Sequence, residues 1–224
     1  MKRILVLLGL YSVAMALLEA AVVVYMRRLY YPDNPLDLFP MEFLNQYDPA
    51  LELGREVATI VMILAVAFLA QQKTLTRSFA AFVFVFGVWD LFYYAWLKVL
   101  IGWPRTLLEW DVLFLIPSVW VGPWICPAAI SVLFIAWGSM VLLRDRETRF
   151  TPKSLCVFTV GAALGLVAFM QPTTGLSQAE MIQYVPGEFW WWLFAVSYCL
   201  MAGGFMMALR CAENPSRPQT LGAQ

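Results

Sequence analysis

Apolar residues gather into long runs at about 4–26, 51–71, 78–100, 154–171 and 188–210. A bilayer core of about 30 Å takes roughly 20 helical residues to cross, so each run meets or approaches the length of a transmembrane helix. One further stretch, 112–143, stays apolar for too long. As a single straight helix it would measure about 48 Å. Pro117, Gly122, Pro123 and Pro127 crowd its first half, and each proline withdraws a backbone donor and disfavours the helical turn before it. The pattern therefore predicts a short re-entrant or interfacial half-helix at about 111–121, followed by a full span at about 124–143. The expected fold is an all-α polytopic membrane bundle of about six transmembrane helices plus that half-helix. It forms one integral membrane domain over 1–211, with 212–224 as a disordered cytoplasmic tail.

The polar residues between the runs set the orientation, because Lys and Arg accumulate on the cytoplasmic side. Lys2 and Arg3 precede the first run, Lys73 and Arg77 follow the second, "RDRETRFTPK" follows the fourth span, and Arg210 and Arg217 follow the last. The other connections, "PDNPLDLFPMEFLNQYD" and "QPTTGLSQAEMIQYVPGE", carry no basic residue. Both termini are thus expected in the cytoplasm, with Arg27, Arg28, Lys98 and Arg105 as exceptions on the outer side. The first run also has the basic start of a signal peptide. Its apolar stretch continues through "AAVVVYM" without a polar region before a cleavage point, which favours a retained span.

Composition agrees: 62% of the 224 residues are hydrophobic, 13% are charged, and the mean hydropathy is +0.72. A soluble domain would be about 25% charged. Fifteen basic and fifteen acidic residues cancel, so no net field points to nucleic acid. There is no histidine, which removes the usual ligand of haem, copper and catalytic zinc, and no such cofactor is expected. The four cysteines, Cys126, Cys156, Cys199 and Cys211, form no C-x-x-C pair and read as small apolar packing residues.

The acids inside the apolar runs carry the chemical interest. A charged group in mid-membrane costs about 2.5–3.5 kcal/mol on insertion scales, so it normally faces the bundle interior or a wet cavity. Counting along each helix puts Glu19 and Glu56 roughly 22 Å, and Asp90 roughly 18 Å, from the inner face. Three consecutive spans thus place carboxylates at nearly one depth. Ser12, Ala16 and Glu19 share a face of the first span; Glu52, Arg55, Glu56 and Thr59 form a stripe on the second; Gly87, Asp90 and Tyr94 align on the third. Asp111, beside the expected half-helix, faces the same outer layer. Glu19, Glu52, Glu56 and Asp90 outnumber Arg55, the one base certain to share their helices. The excess is resolved by protonation of some acids, by Arg27, Arg28 or Arg105 folding inward, or by a bound cation.

Around this layer, Trp89, Trp96, Trp103, Trp110, Trp120 and Trp124, with Tyr93 and Tyr94, read first as an interfacial aromatic belt, with a cation-binding aromatic box as the sharper alternative. "GAALG" at Gly161–Gly165 has the small-residue spacing that lets helices approach closely. The pairs Trp89-Asp90 and Trp110-Asp111 lack the flanking motifs of an intramembrane aspartate hydrolase.

Three functional readings follow. In the first, a small multi-pass protein of the bacterial inner membrane binds a cation, proton or cationic solute at Glu19, Glu52, Arg55, Glu56, Asp90, Tyr94 and Asp111, with transport as an open extension. Such a small transporter without an evident repeat would need to be a homo-oligomer. In the second, the polar layer is internal glue in a non-catalytic accessory or assembly subunit of a larger membrane complex. The third is a lipid- or quinone-modifying enzyme, disfavoured because no nucleophile stands beside a credible base. The partners expected are therefore the lipid bilayer and either further copies or another membrane protein.

Overall fold

In the computed structural model, which describes residues 2–40, 48–70, 74–116, 118–144, 148–177, 180–181 and 183–211, a long helix lies on each apolar run. These are α1 (Lys2–Tyr30), α2 (Asp48–Leu69), α3 (Leu75–Ile101), α4 (Ile125–Leu143), α5 (Pro152–Met170) and α6 (Trp191–Cys211). Among the described residues, five of them, all but α2, are long and apolar enough to cross a membrane. α2 has comparable length, 22 residues, but carries Glu52, Arg55 and Glu56 near its start. The tail 212–224 and Pro117, both used in the sequence reading, lie outside the described residues.

Local chemistry sets several of the helix ends. Thr151 and Ser154 cap the start of α5 reciprocally, with the Ser154 N–H donating to Thr151 Oγ1 (3.1 Å) and the Thr151 N–H to Ser154 Oγ (2.9 Å), and Pro152 fills the first turn. α3 ends at Gly102, whose φ of 76° places it in the left-handed region that glycine tolerates. Lys98 then donates to the carbonyls of Gly102 (3.0 Å) and Pro104 (2.7 Å), so it supplies donors to carbonyls freed at the end of α3.

α3 is the central helix, packed on α1, α2 and α4, while α5 and α6 form a second tight pair. Small residues make both crossings close. A Cβ on Gly87 would lie 2.7 Å from the Ser131 carbonyl oxygen across the α3–α4 seam, and one on Gly204 would lie 2.7 Å from Phe158 Cβ across the α5–α6 seam. The "GAALG" spacing serves the same intrachain contact: Ser197 Oγ donates to the Gly161 carbonyl at 2.8 Å. At the end that holds the N-terminus of α1 and the C-terminus of α6, Trp137 stacks on Phe205 with centroids 4.2 Å apart and planes within 9°, and Phe158 stacks on the same ring at 4.6 Å.

The segment expected to be a half-helix at 111–121 is instead an antiparallel β-hairpin. Strand β1 (Trp110–Phe114) pairs with β2 (Trp120–Pro123) in the register Trp110↔Pro123, Asp111↔Gly122, Val112↔Val121 and Phe114↔Trp120, with a bulge between Val112 and Phe114. The reason is legible in hindsight: "WDVLF" and "WVGP" are short, aromatic and β-branched, which favours strands, and Pro123 sits at a strand end, where a missing donor costs nothing. Length and apolarity alone do not separate a short buried strand from a piece of helix. The hairpin packs through Gly122, where a Cβ would meet the rings of Phe169 (3.0 Å) and Phe189 (3.2 Å). Non-helical backbone in apolar surroundings must have its polar groups satisfied by protein. The Trp124 N–H donates to the Glu109 carbonyl (3.0 Å) and the Thr173 hydroxyl to the Val119 carbonyl (2.6 Å).

Candidate functional site

Beneath the hairpin lies a cavity of about 370 Å³, within the range of small-molecule sites. Its two walls differ. α1, α2, α3 and β1 present Glu19, Glu52, Arg55, Glu56, Asp90, Tyr94 and Asp111, the seven residues singled out from the sequence, together with Arg27 and Tyr93. α4, α5 and α6 present only apolar or small residues, among them Ile130, Phe134, Gly165, Leu166, Phe169 and Met201.

The α2 stripe forms because a 3.6-residue period puts Glu52, Arg55, Glu56 and Thr59 on one side, and that side turns inward: Glu56, Thr59, Ile63 and Ala67 are the buried residues of α2. Arg55 forms ion pairs with Glu19 of α1 and with Glu52 of its own helix, the latter supported by Nε donating to Glu52 Oε2 at 2.9 Å. The Thr59 hydroxyl donates to Glu19 Oε2 at 3.2 Å. One guanidinium thus links α1 to α2 and takes up two of the five carboxylates.

The other three acids have different partners. The Leu115 N–H, at the end of β1, donates to both oxygens of Glu56 (3.0 and 2.9 Å), so this acid supplies the acceptor that the hairpin backbone needs. Asp90 accepts from the Ser131 hydroxyl at 2.7 Å. Asp111 accepts from the Tyr94 hydroxyl and faces Arg27 Nη2 at 3.5 Å in a pair about 3–4% exposed.

Of the three arginines expected on the outer side, Arg27 folds inward. Its guanidinium also lies 4.1 Å over the Trp103 ring. Arg28 remains exposed. Arg105 stays at the surface, half exposed, paired with Asp37 (3.3 Å) and Glu109 (2.9 Å). Glu109 holds the Arg105 guanidinium above its ordinary pKa.

The aromatic belt needs correcting at Trp89, Trp103 and Tyr94. Trp103 is fully buried and Trp89 nearly so, while Tyr94 packs against Trp103 and Trp124 at 6.1 and 5.3 Å. These rings line the protein interior. The tryptophans that face outward are Trp190, Trp191 and Trp192 at the start of α6. A cation does sit on an aromatic face, but it is the chain's own Arg27.

No protein-family model, curated protein or solved structure matches this chain. Among the described residues no three His, Cys, Asp or Glu side chains are grouped to hold a metal ion. The polar wall still carries five carboxylates against two guanidiniums. Sequence reasoning missed the Leu115 N–H as part of this wall, because its position depends on the hairpin.

Proposed function

We propose that this chain is a small multi-pass protein of a bacterial cytoplasmic membrane that binds a protonated amine or another organic cation with an apolar body in the cavity beneath the hairpin. Transport is the natural extension, in a homo-oligomer or with a membrane partner. The observation that carries the reading is the position of Glu56 and Asp90. Both face the cavity, and among the described residues neither forms an ion pair; each is held by a single neutral donor group. A carboxylate offers about four lone-pair directions, so each retains room for an ammonium group, while the opposite wall suits an apolar body. The absence of a three-ligand acid cluster among the described residues favours an organic cation over a bare metal ion.

The test is thermal unfolding of purified protein against a panel of alkylamines and inorganic cations, in wild type, Glu56→Gln and Asp90→Asn. Binding to the folded state alone raises the melting temperature by mass action. The expected result is that an alkylamine stabilises the wild type and loses that effect in Asp90→Asn, which keeps an acceptor for Ser131. If wild type responds to no cation, the reading is wrong.

A second reading, that of an assembly or accessory subunit, is favoured by the bracing itself. Glu19–Arg55 joins α1 to α2, Arg27–Asp111 joins α1 to β1, and Glu56 joins α2 to the hairpin. On that view the same substitutions lower stability without touching ligand response, and the protein copurifies with a partner.

A further inference from the structure

The cavity's acids all have donors, but several of its donors have no acceptor. The Nε, Nη1 and Nη2 atoms of Arg27 and the indole Nε1 atoms of Trp89 and Trp120 are buried without a hydrogen-bond partner, and all three side chains line the cavity. Arg27 is 2% exposed and Trp89 6%. The contact of Arg27 with Asp111 is 3.5 Å long and engages one nitrogen without hydrogen-bond geometry. A guanidinium carries five N–H groups in a fixed fork that matches phosphate and carboxylate oxygens, and an indole N–H only donates. Leaving such groups unmatched in an apolar interior is costly. Beside the acceptor room left on Glu56 and Asp90, the cavity lining therefore has unmet donor capacity, and that capacity calls for an oxygen-rich acceptor.

Resting on the cationic reading above, we infer that the occupant is a zwitterionic lipid headgroup of the amine–phosphate type: its ammonium group faces Glu56 and Asp90, and its phosphate oxygens accept from Arg27, Trp89 and Trp120. A lipid is chosen over a free zwitterion because the wall opposite the charges, from Ile130 and Phe134 to Leu166 and Phe169, offers only apolar surface, which an acyl chain covers and a water-soluble molecule does not.

The experiment compares four probes by melting temperature and by native mass spectrometry of the full chain in a mild detergent. They are phosphatidylethanolamine (amine, phosphate and chains), phosphatidylglycerol (phosphate and chains, no amine), dodecylamine (amine and chain, no phosphate) and free phosphoethanolamine (no chain). Phosphatidylethanolamine should stabilise wild type more than any other probe. Trp89→Phe combined with Trp120→Phe keeps both six-membered rings while removing the two N–H groups, and should weaken that lipid about tenfold or more, the combined effect of two hydrogen bonds, with dodecylamine unaffected. Arg27→Lys, which keeps the charge beside Asp111 but loses the fork, should act the same way, and each single Trp→Phe variant provides the measurement should the double variant fail to fold. If dodecylamine matches phosphatidylethanolamine, or the Trp→Phe variants bind the lipid as wild type does, the phosphate assignment is overturned while the cationic reading stands. If phosphatidylglycerol matches phosphatidylethanolamine, the cationic reading falls and the donor site remains. Equal binding of free phosphoethanolamine would overturn the lipid.

Discussion

At the end of the bundle that carries α1's first turn and α6's last, Trp137, Phe158 and Phe205 of α4, α5 and α6 stack and glycines let helix backbones touch; at the hairpin end, ion pairs and carboxylate–amide bonds join α1, α2 and the hairpin around a cavity. The first arrangement depends on shape and leaves no room. The second depends on charge and keeps a space open, although a packed apolar core would hold helices together at lower cost. That difference locates where this chain gives up packing for something else. It also predicts that the two ends fail differently: substitutions at the packed end should remove folded protein, while those at the charged end should unbalance a pair and be partly rescued by a second change.

The largest effect is expected at the packed end. In Gly204→Leu even the first added carbon would lie within 3 Å of the Phe158 backbone nitrogen and Cα, atoms that cannot swing away as a side-chain tip could. Overpacking of this kind costs about 3 kcal/mol or more when backbone must move. Monodisperse protein on size exclusion should be largely lost. A Gly204→Leu protein that melts like wild type would mean the α5–α6 seam tolerates separation, and the contrast between the two ends would weaken.

Next comes Arg55→Met at the charged end. It keeps a long, flexible side chain but leaves Glu19 and Glu52 without their common base. Removing one partner from a partly buried pair should cost about 2–3 kcal/mol, at or just under the range for fully buried pairs. The sharper test is the cycle: Glu19→Gln combined with Arg55→Met should recover part of the loss, because one stranded carboxylate has gone. Strict additivity of the two single changes, read as melting temperature in detergent, would show that charge balance does not govern this end.

How much of this was legible in the sequence follows the same division. Glu52, Arg55, Glu56 and Thr59 could be placed on one face because helical periodicity is local, and Glu19 and Asp90 could be placed at a common depth because rise per residue is constant. Those two regularities set face and depth but not which spans are neighbours, so the meeting of these residues with Tyr94 and Asp111 around one cavity is visible only in the structure. The hairpin was not legible as such, since "WDVLF" and "WVGP" are as apolar as a helix of that length and the pairing that distinguishes them lies between residues ten or so apart. The contacts that depend on the hairpin were hidden with it: the Leu115 N–H on Glu56 and the pairing of Arg27 with Asp111. The tryptophans misled for a related reason. Their count fits an interfacial belt, and only tertiary packing turns Trp103 inward beneath a guanidinium.

The smallest effect separates two arginines that look alike in sequence. Arg27 and Arg105 both break the positive-inside pattern, and both have acidic partners. Arg105, however, is half exposed and its partner Asp37 equally so, so water screens the pair and replaces most of what it supplies. Exposed pairs contribute about 0–1 kcal/mol, and Arg105→Gln should shift stability by no more than about 0.5 kcal/mol, within a degree or two in melting temperature. Arg27→Gln, made in parallel, removes a charge that faces Asp111 in a pair almost wholly out of water and should cost several times as much. Equal effects of the two substitutions would mean that the hairpin end is wetter than its burial indicates, and the argument that its charges are held at a cost, for a ligand, would lose its premise.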